Sequence, residues 1–265
     1  MKKTLIAGCF VLLAGLVQAQ QKEGKVKYES TSTFVARINI NGEENSIPQT
    51  RKENFELHYA NNQSLWKAGE ADAPNEAMGD GDGGMHIVMI NPNADNITFL
   101  NLESGKRTEK RVLMDKTFII DDTISKLKWK MTGETKSILN HNCMKATATR
   151  VQTSTRMNID NGKMERVEVT DTLPVVAWFA ADIPVSAGPG DYQAQLPGLI
   201  LEMDINNGKQ TFVAKEISPK VDVAVVKAPE GKKHYTRDEF KKESDKLMKE
   251  MQQNMGGGQR QIRMN

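Results

Sequence analysis

The sequence predicts a mainly β protein, a strongly curved antiparallel meander forming a half-barrel or open barrel, with one C-terminal helix. Three observations lead there. Runs such as Phe55-Glu56-Leu57-His58-Tyr59 alternate apolar and polar residues with the period of a half-buried strand. Turn signals separate them, at Asn41-Gly42, Asn61-Asn62, Ser104-Gly105, Asn161-Gly162 and Asn207-Gly208, and Asn-Gly between alternating runs marks a hairpin. No helix-length periodic segment falls between the strands, which argues against parallel βαβ winding. A sheet with on the order of a dozen short strands must curl or close to protect its edges.

Each segment follows in order. Met1-Lys2-Lys3 precedes an apolar run from Leu5 to Val17 and a small-residue site at Val17-Gln18-Ala19, the pattern of a secretory signal peptide (1–19) cut after Ala19. The run is shorter than the roughly 20 apolar residues that span a bilayer. Cys9 sits in a lipobox-like Ile6-Ala7-Gly8-Cys9, but most of the apolar run follows it, which argues against lipidation. The expected location is therefore periplasmic or extracellular.

Residues 20–231 form the β domain. Val26, Tyr28 and Ser30 share one strand face. Further runs are His86 to Ile90, Ile97 to Leu102, Thr117 to Ile120, Leu127 to Met131, Cys143 to Val151, Met164 to Thr170, Val175 to Phe179, Leu199 to Ile205, Gln210 to Ile217 and Val221 to Val226. An acidic loop spans 67–96, with Asp80 and Asp82 among glycines. The stretch 182–202 is a long crossover rich in proline and glycine, in which Pro197-Gly198 reads as a type II turn with glycine at positive φ. In 232–255, Thr236-Arg237-Asp238-Glu239 is a capping box and Tyr235 with Phe240 a hydrophobic staple, opening a mostly solvated helix. Residues 256–265 read as a disordered tail.

Two ordered blocks carry a family likeness. One is Trp129, Glu134-Thr135-Lys136-Ser137-Ile138 and Cys143-Met144-Lys145-Ala146. The other is Trp178-Phe179, Gly188-Pro189 and Leu196-Pro197-Gly198-Leu199-Ile200. Together they resemble the GLPGLI family of secreted bacterial envelope proteins over roughly residues 25–217, with Gln195 standing where the motif has its first glycine. The resemblance implies location and fold, and no activity.

Composition narrows the function classes. The chain carries 36 Lys and Arg against 34 Asp and Glu, and loss of Lys2 and Lys3 with the signal peptide leaves the two signs equal. A neutral chain without a basic stripe argues against nucleic acid and against electrostatic docking on membranes. Cys143 is the sole cysteine beyond the signal peptide, so no internal disulfide forms.

Candidate chemistry is sparse. Cys143 with His141 two residues away invites a thiol nucleophile, but a buried small hydrophobe fits better. No Gly-x-Ser-x-Gly elbow is present. Asp80 and Asp82 lack the glutamate that completes a calcium loop, because Asn91 stands there. Met78, Met85, His86 and Met89 offer soft copper(I) ligands, yet core packing explains them as well. The expectation is no catalytic residue, no metal and no cofactor. The crossover has two readings: Pro184, Pro189 and Pro197 stiffen a plug across the open side of the sheet with Tyr192 and Leu196 inserted, or the loop rims a cavity in the concave face, for which Trp178, Val185, Tyr192, Leu196 and Leu199 are the candidate ligand-binding residues. The reading is a non-enzymatic envelope protein binding an apolar ligand, a peptide or a protein partner. A peptidase or its accessory subunit, and an envelope assembly protein docking through its helix, are the alternatives.

Overall fold

The computed structural model describes residues 22–40, 43–70, 94–160 and 163–256, with backbone only at 36–40, 43–47, 154–160, 163–166 and 252–256. Among these residues twelve strands form one open sheet. They are β1 (Gly24–Ile40), β2 (Glu43–Ala60), β3 (Gln63–Ala68), β4 (Ile97–Asn101), β5 (Lys106–Leu113), β6 (Lys116–Thr123), β7 (Lys130–Ile138), β8 (His141–Asp160), β9 (Lys163–Ala180), β10 (Leu199–Ile205), β11 (Gln210–Ser218) and β12 (His234–Tyr235), followed by α1 (Arg237–Gly256). The spatial order is β12-β6-β5-β4-β3-β2-β1-β11-β10-β9-β8-β7, so two antiparallel meanders, β1–β6 and β7–β11, are joined by pairing the first strand with the eleventh.

The mainly β class stands, and the detail differs from the single meander of short strands. Cys143–Val151 is the start of a strand that runs on to Asp160, and Met164–Thr170 and Val175–Phe179 are one strand, because polar residues face solvent on a two-stranded arm. Residues 124–129 are not a strand. β7 starts at Lys130, while Leu127 and Trp129 turn inward against the core. The apolar run 221–226 is also no strand. It makes a 3₁₀ turn at Val223–Val225, capped by Asp222, and lays Val221 and Val226 against Ala60, Leu65 and Phe99 on the outer face. The chain then adds β12 in parallel to the β6 edge.

Turn chemistry accounts for the hairpins. Asn61 and Asn62 both take left-handed φ, 51° and 56°, as the two-residue turn between β2 and β3 demands. Asn41-Gly42 and Asn161-Gly162 lie outside the described residues, but Ile40 pairs with Glu43 and Asp160 with Lys163, the register of two-residue hairpins. Also outside are residues 1–19, read as a signal peptide, the strand expected at His86–Ile90, the glycine-flanked Asp80 and Asp82, the methionines Met78, Met85 and Met89, and the tail from 257.

The inner face carries the core. Val26, Tyr28, Leu57, Tyr59, Phe179, Leu199, Ile200 and Met203 are each at most 1% exposed. At roughly 1.5–3 kcal/mol for each large apolar side chain buried, this cluster is the main stabilising term. Trp66 stacks on Phe55 with ring centroids 4.9 Å apart and meets Phe212 edge-on. At the other end, α1 sets Phe240 and Leu247 beside Phe118 and Ile120 of β6.

Candidate functional site

The crossover between β9 and β10 passes through the inside of the curl. Ile183, Ala187, Tyr192, Gln193, Ala194 and Leu196 are all buried. Its backbone folds on itself and onto its own exit strand: Ala194 N–H donates to Ser186 O at 2.7 Å, Leu199 N–H to Ile183 O at 3.1 Å and Ile200 N–H to Ala187 O at 3.0 Å. Side chains tie it to the wall. Tyr28 Oη donates to Ile200 O at 2.6 Å, and the buried Ser64 hydroxyl donates to Gln193 Oε1. Gln195 Oε1 accepts from Leu127 N–H at 2.9 Å and Trp129 Nε1–H at 3.3 Å, while its amide donates to Ser125 O at 3.1 Å. Gln195 therefore clamps the 125–129 crossing to the loop.

Gly198 is required for a different reason than the turn type. Its φ is not positive, which corrects the type II reading. A Cβ there would run into the Ala180 carbonyl, with the carbonyl carbon 2.9 Å away. A Cβ at Gly188 would likewise come within 2.7 Å of Ile200 Cδ1.

A charged network spans the inner face, with Arg107 and Glu109 buried and the other members partly exposed. Asp191 accepts from Arg107 of β5 at 2.9 Å and from Arg150 of β8 at 3.1 Å, joining strands far apart in the sheet order. Arg107 also meets Asp122 at 2.9 Å and Glu109 at 3.1 Å, and Arg237 of α1 meets the same two carboxylates at 2.9 and 2.8 Å. Burial alone would raise Asp122, but the Thr123 N–H and the Arg237 and Arg107 guanidiniums outweigh it and hold its carboxyl below the usual range.

On the outer face, β7 to β10 bring together Glu134, Lys136, Lys145, Trp178 and Glu202. Lys136 Nζ sits 4.3 Å from the Trp178 ring centre and 2.7 Å from Glu202, and Lys145 bonds Glu134 at 2.9 Å. Cys143 is fully buried beneath them and donates to the His141 carbonyl at 3.7 Å. Burial and the Asp182 carboxylate push its thiol up to about 11, opposite to what a nucleophile needs. His141 instead pairs with Asp182 at 2.7 Å. Among the described residues no three His, Cys, Asp or Glu side chains are placed to hold a metal ion, and no helix is long and apolar enough to cross a membrane.

Where the crossover leaves β9, Pro184, Val185 and Ser186 border a cleft of about 550 Å³. Its other walls are Asn61 and Asn62 of the β2–β3 turn, Leu102 and Glu103 after β4, and Lys22 and Glu23. Leu102 N–H donates to Asn62 O at 2.8 Å, fixing the two turns to each other.

Residues 129–202 match the family model Porph_ging, described as a protein of unknown function. The match takes in β7, the outer cluster, the crossover and the first residues of β10, and leaves the β1–β6 meander outside it. No curated protein matches the chain. Two solved structures of PNGF-II, in space groups P21 and C2, are similar at 15% and 16% identity with TM-scores of 0.49 and 0.48. They cover 83% and 84% of this chain, which spans 32% of theirs.

The five candidate ligand residues do not converge on one open site. Tyr192, Leu196 and Leu199 are 4%, 3% and 0% exposed and belong to the core. Trp178 stands on the outer face, since its neighbours Ala177 and Phe179 point inward. Val185 alone borders the cleft. The motif residues divide similarly: Lys136, Cys143, Lys145 and Trp178 form the outer cluster, while Trp129, Gly188, Pro189, Leu196, Pro197, Gly198, Leu199 and Ile200 belong to the crossover and its packing. Sequence reasoning missed Asp191, Arg107 and Arg150. The one signal for Asp191 was a charged residue inside a stretch otherwise fit for burial.

Proposed function

We propose that this chain is an exported bacterial envelope protein of the GLPGLI type that binds a peptide segment of a partner without catalysing a reaction. Export rests on the Met1–Ala19 pattern, and the family name on the two motif blocks within 129–202. The rim cleft carries the binding reading. Its volume of about 550 Å³ falls within the range of binding pockets. Its lining suits a peptide, with side-chain amides at Asn61 and Asn62 for a backbone, apolar contacts at Pro184, Val185 and Leu102, and charges of both signs at Lys22, Glu23 and Glu103. An apolar ligand inside the curl is the poorer reading, because the crossover fills that space. A thiol-based hydrolase is poorer still, because Cys143 is buried and held protonated.

Native mass spectrometry after gentle purification, followed by a peptide-library screen, tests the proposal. A bound peptide lost in Glu103→Arg, at an exposed position of the lining, with the thermal midpoint unchanged, is the expected result. Wild-type protein that retains and selects no peptide, or a variant that binds as before, overturns it.

A further inference from the structure

The sheet contains a gap two strands wide. β10 and β11 stop at Ile205 and Gln210, where Thr33 N–H donates to Lys209 O at 2.9 Å and Asn206 N–H to Pro174 O at 2.8 Å. Their neighbours do not stop. β1 runs on to Ile40 and β9 comes in from Lys163, and among the described residues these extensions pair with β2 and β8 alone. Two arms, each a two-stranded ribbon, therefore flank a slot bounded by the free edges of β1 and β9. An isolated two-stranded ribbon is marginally stable in water, and its free N–H and C=O groups are templates for further pairing. The arms also hold apolar side chains in solvent: Phe34 is 42% exposed, Val35 60%, Val151 67% and Val167 40%.

We propose that this slot receives an arm of a second copy of the chain, so that two molecules interlock as a symmetric dimer. Width agrees, since the arm and the slot are each two strands across. Direction agrees as well. Every pair from β1 through β11, β10 and β9 to β8 is antiparallel, so β1 and β8 run the same way within one molecule. A two-fold axis normal to the sheet reverses the second copy. The interlocked order is then β2 and β1 of the first copy, β8 and β9 of the second, β9 and β8 of the first, and β1 and β2 of the second. Each new contact, β1 with β8 and β9 with β9, is antiparallel. Rotation about the sheet normal also keeps both inner faces on one side, so inward side chains such as Phe34 and Val167 meet the same side of the joint sheet. A hairpin from an unrelated protein fills one slot, whereas self-pairing fills both slots through one isologous contact. The inference is independent of the rim cleft.

Light scattering behind size exclusion, over a wide concentration range on the whole chain, tests it alongside two shortened variants. One joins Val35 to Pro48 through Asn-Gly, and the other joins Gln152 to Asp171 in the same way, both at register pairs. The expected result is a wild-type dimer and monomeric variants that keep a cooperative thermal transition. Because β9 meets its own copy, Val167→Cys or Val169→Cys is also expected to give a disulfide-linked dimer under oxidation, which decides the matter if the shortened chains do not fold. A wild type that stays monomeric overturns the proposal and leaves the slot to a strand of another protein. A dimer that survives both shortenings, or fails to crosslink at either cysteine, overturns it too and places the contact elsewhere.

Discussion

At the scale of single residues, two positions decide how the crossover sits. Gly198 lies where its backbone passes the Ala180 carbonyl with no room for a methyl group. Gly198→Ala is expected to cost at least about 1–3 kcal/mol, the usual range for forcing an extra carbon into a packed interior, read by urea denaturation. The need for glycine was legible in the Pro-Gly pair, but the reason was not, since a turn signal is local and the carbonyl it meets arrives from another strand. Asp122 supplies the pH dependence. Its folded pKa is depressed, so its contribution is complete above the unfolded value of about 3.9 and is lost as pH falls through the lower folded value. Acid titration of Arg237→Gln, which lacks one of the guanidiniums holding that carboxylate, is expected to show a smaller loss of stability across this window than the wild type.

At the scale of elements, local signals were read well where the partner is also local. The capping box is present as the sequence implies: Thr236 N–H donates to Glu239 Oε2 at 2.7 Å and Glu239 N–H to Thr236 Oγ1 at 3.2 Å. Tyr235 and Phe240 then meet through Phe118, each with ring centres just over 5 Å from it. Thr236→Ala is expected to lower stability by about 1 kcal/mol, measured by thermal unfolding, with the helix otherwise retained. Signals failed where apolar residues are buried without a ladder. Val221–Val226 and Leu127–Trp129 have the composition of strands, but the first packs across β2, β3 and β4, which are already paired, and the second is tied to the crossover through Gln195, so neither enters a ladder. Strand length was misjudged for the converse reason, because β8 and β9 extend beyond the core and there lose the alternation that marks a half-buried strand.

At the scale of the whole molecule, the account is that the curl is held by its own crossover. Asp191 joins β5 to β8, Gln195 clamps the 125–129 crossing, Ser64 bonds the loop from β3, and Tyr28 of β1 bonds its exit strand at Ile200. The sequence showed that 182–202 is stiff and set among strands, and Tyr192 and Leu196 fitted either a plug or a lining; their burial makes them a plug. Whether they line a cavity or fill it depends on the curvature of the sheet, which no residue pattern encodes. The filled interior moves the candidate site from the concave face to the rim at Val185, and it makes the crossover part of the fold's cooperative unit. Native-state hydrogen exchange measures that directly. The amides of Ala194, Leu199 and Ile200 are expected to exchange as slowly as those of Tyr28 and Leu57, through global unfolding. Exchange of the Ala194 amide at the rate of an open loop, while the strand amides stay protected, would contradict the account.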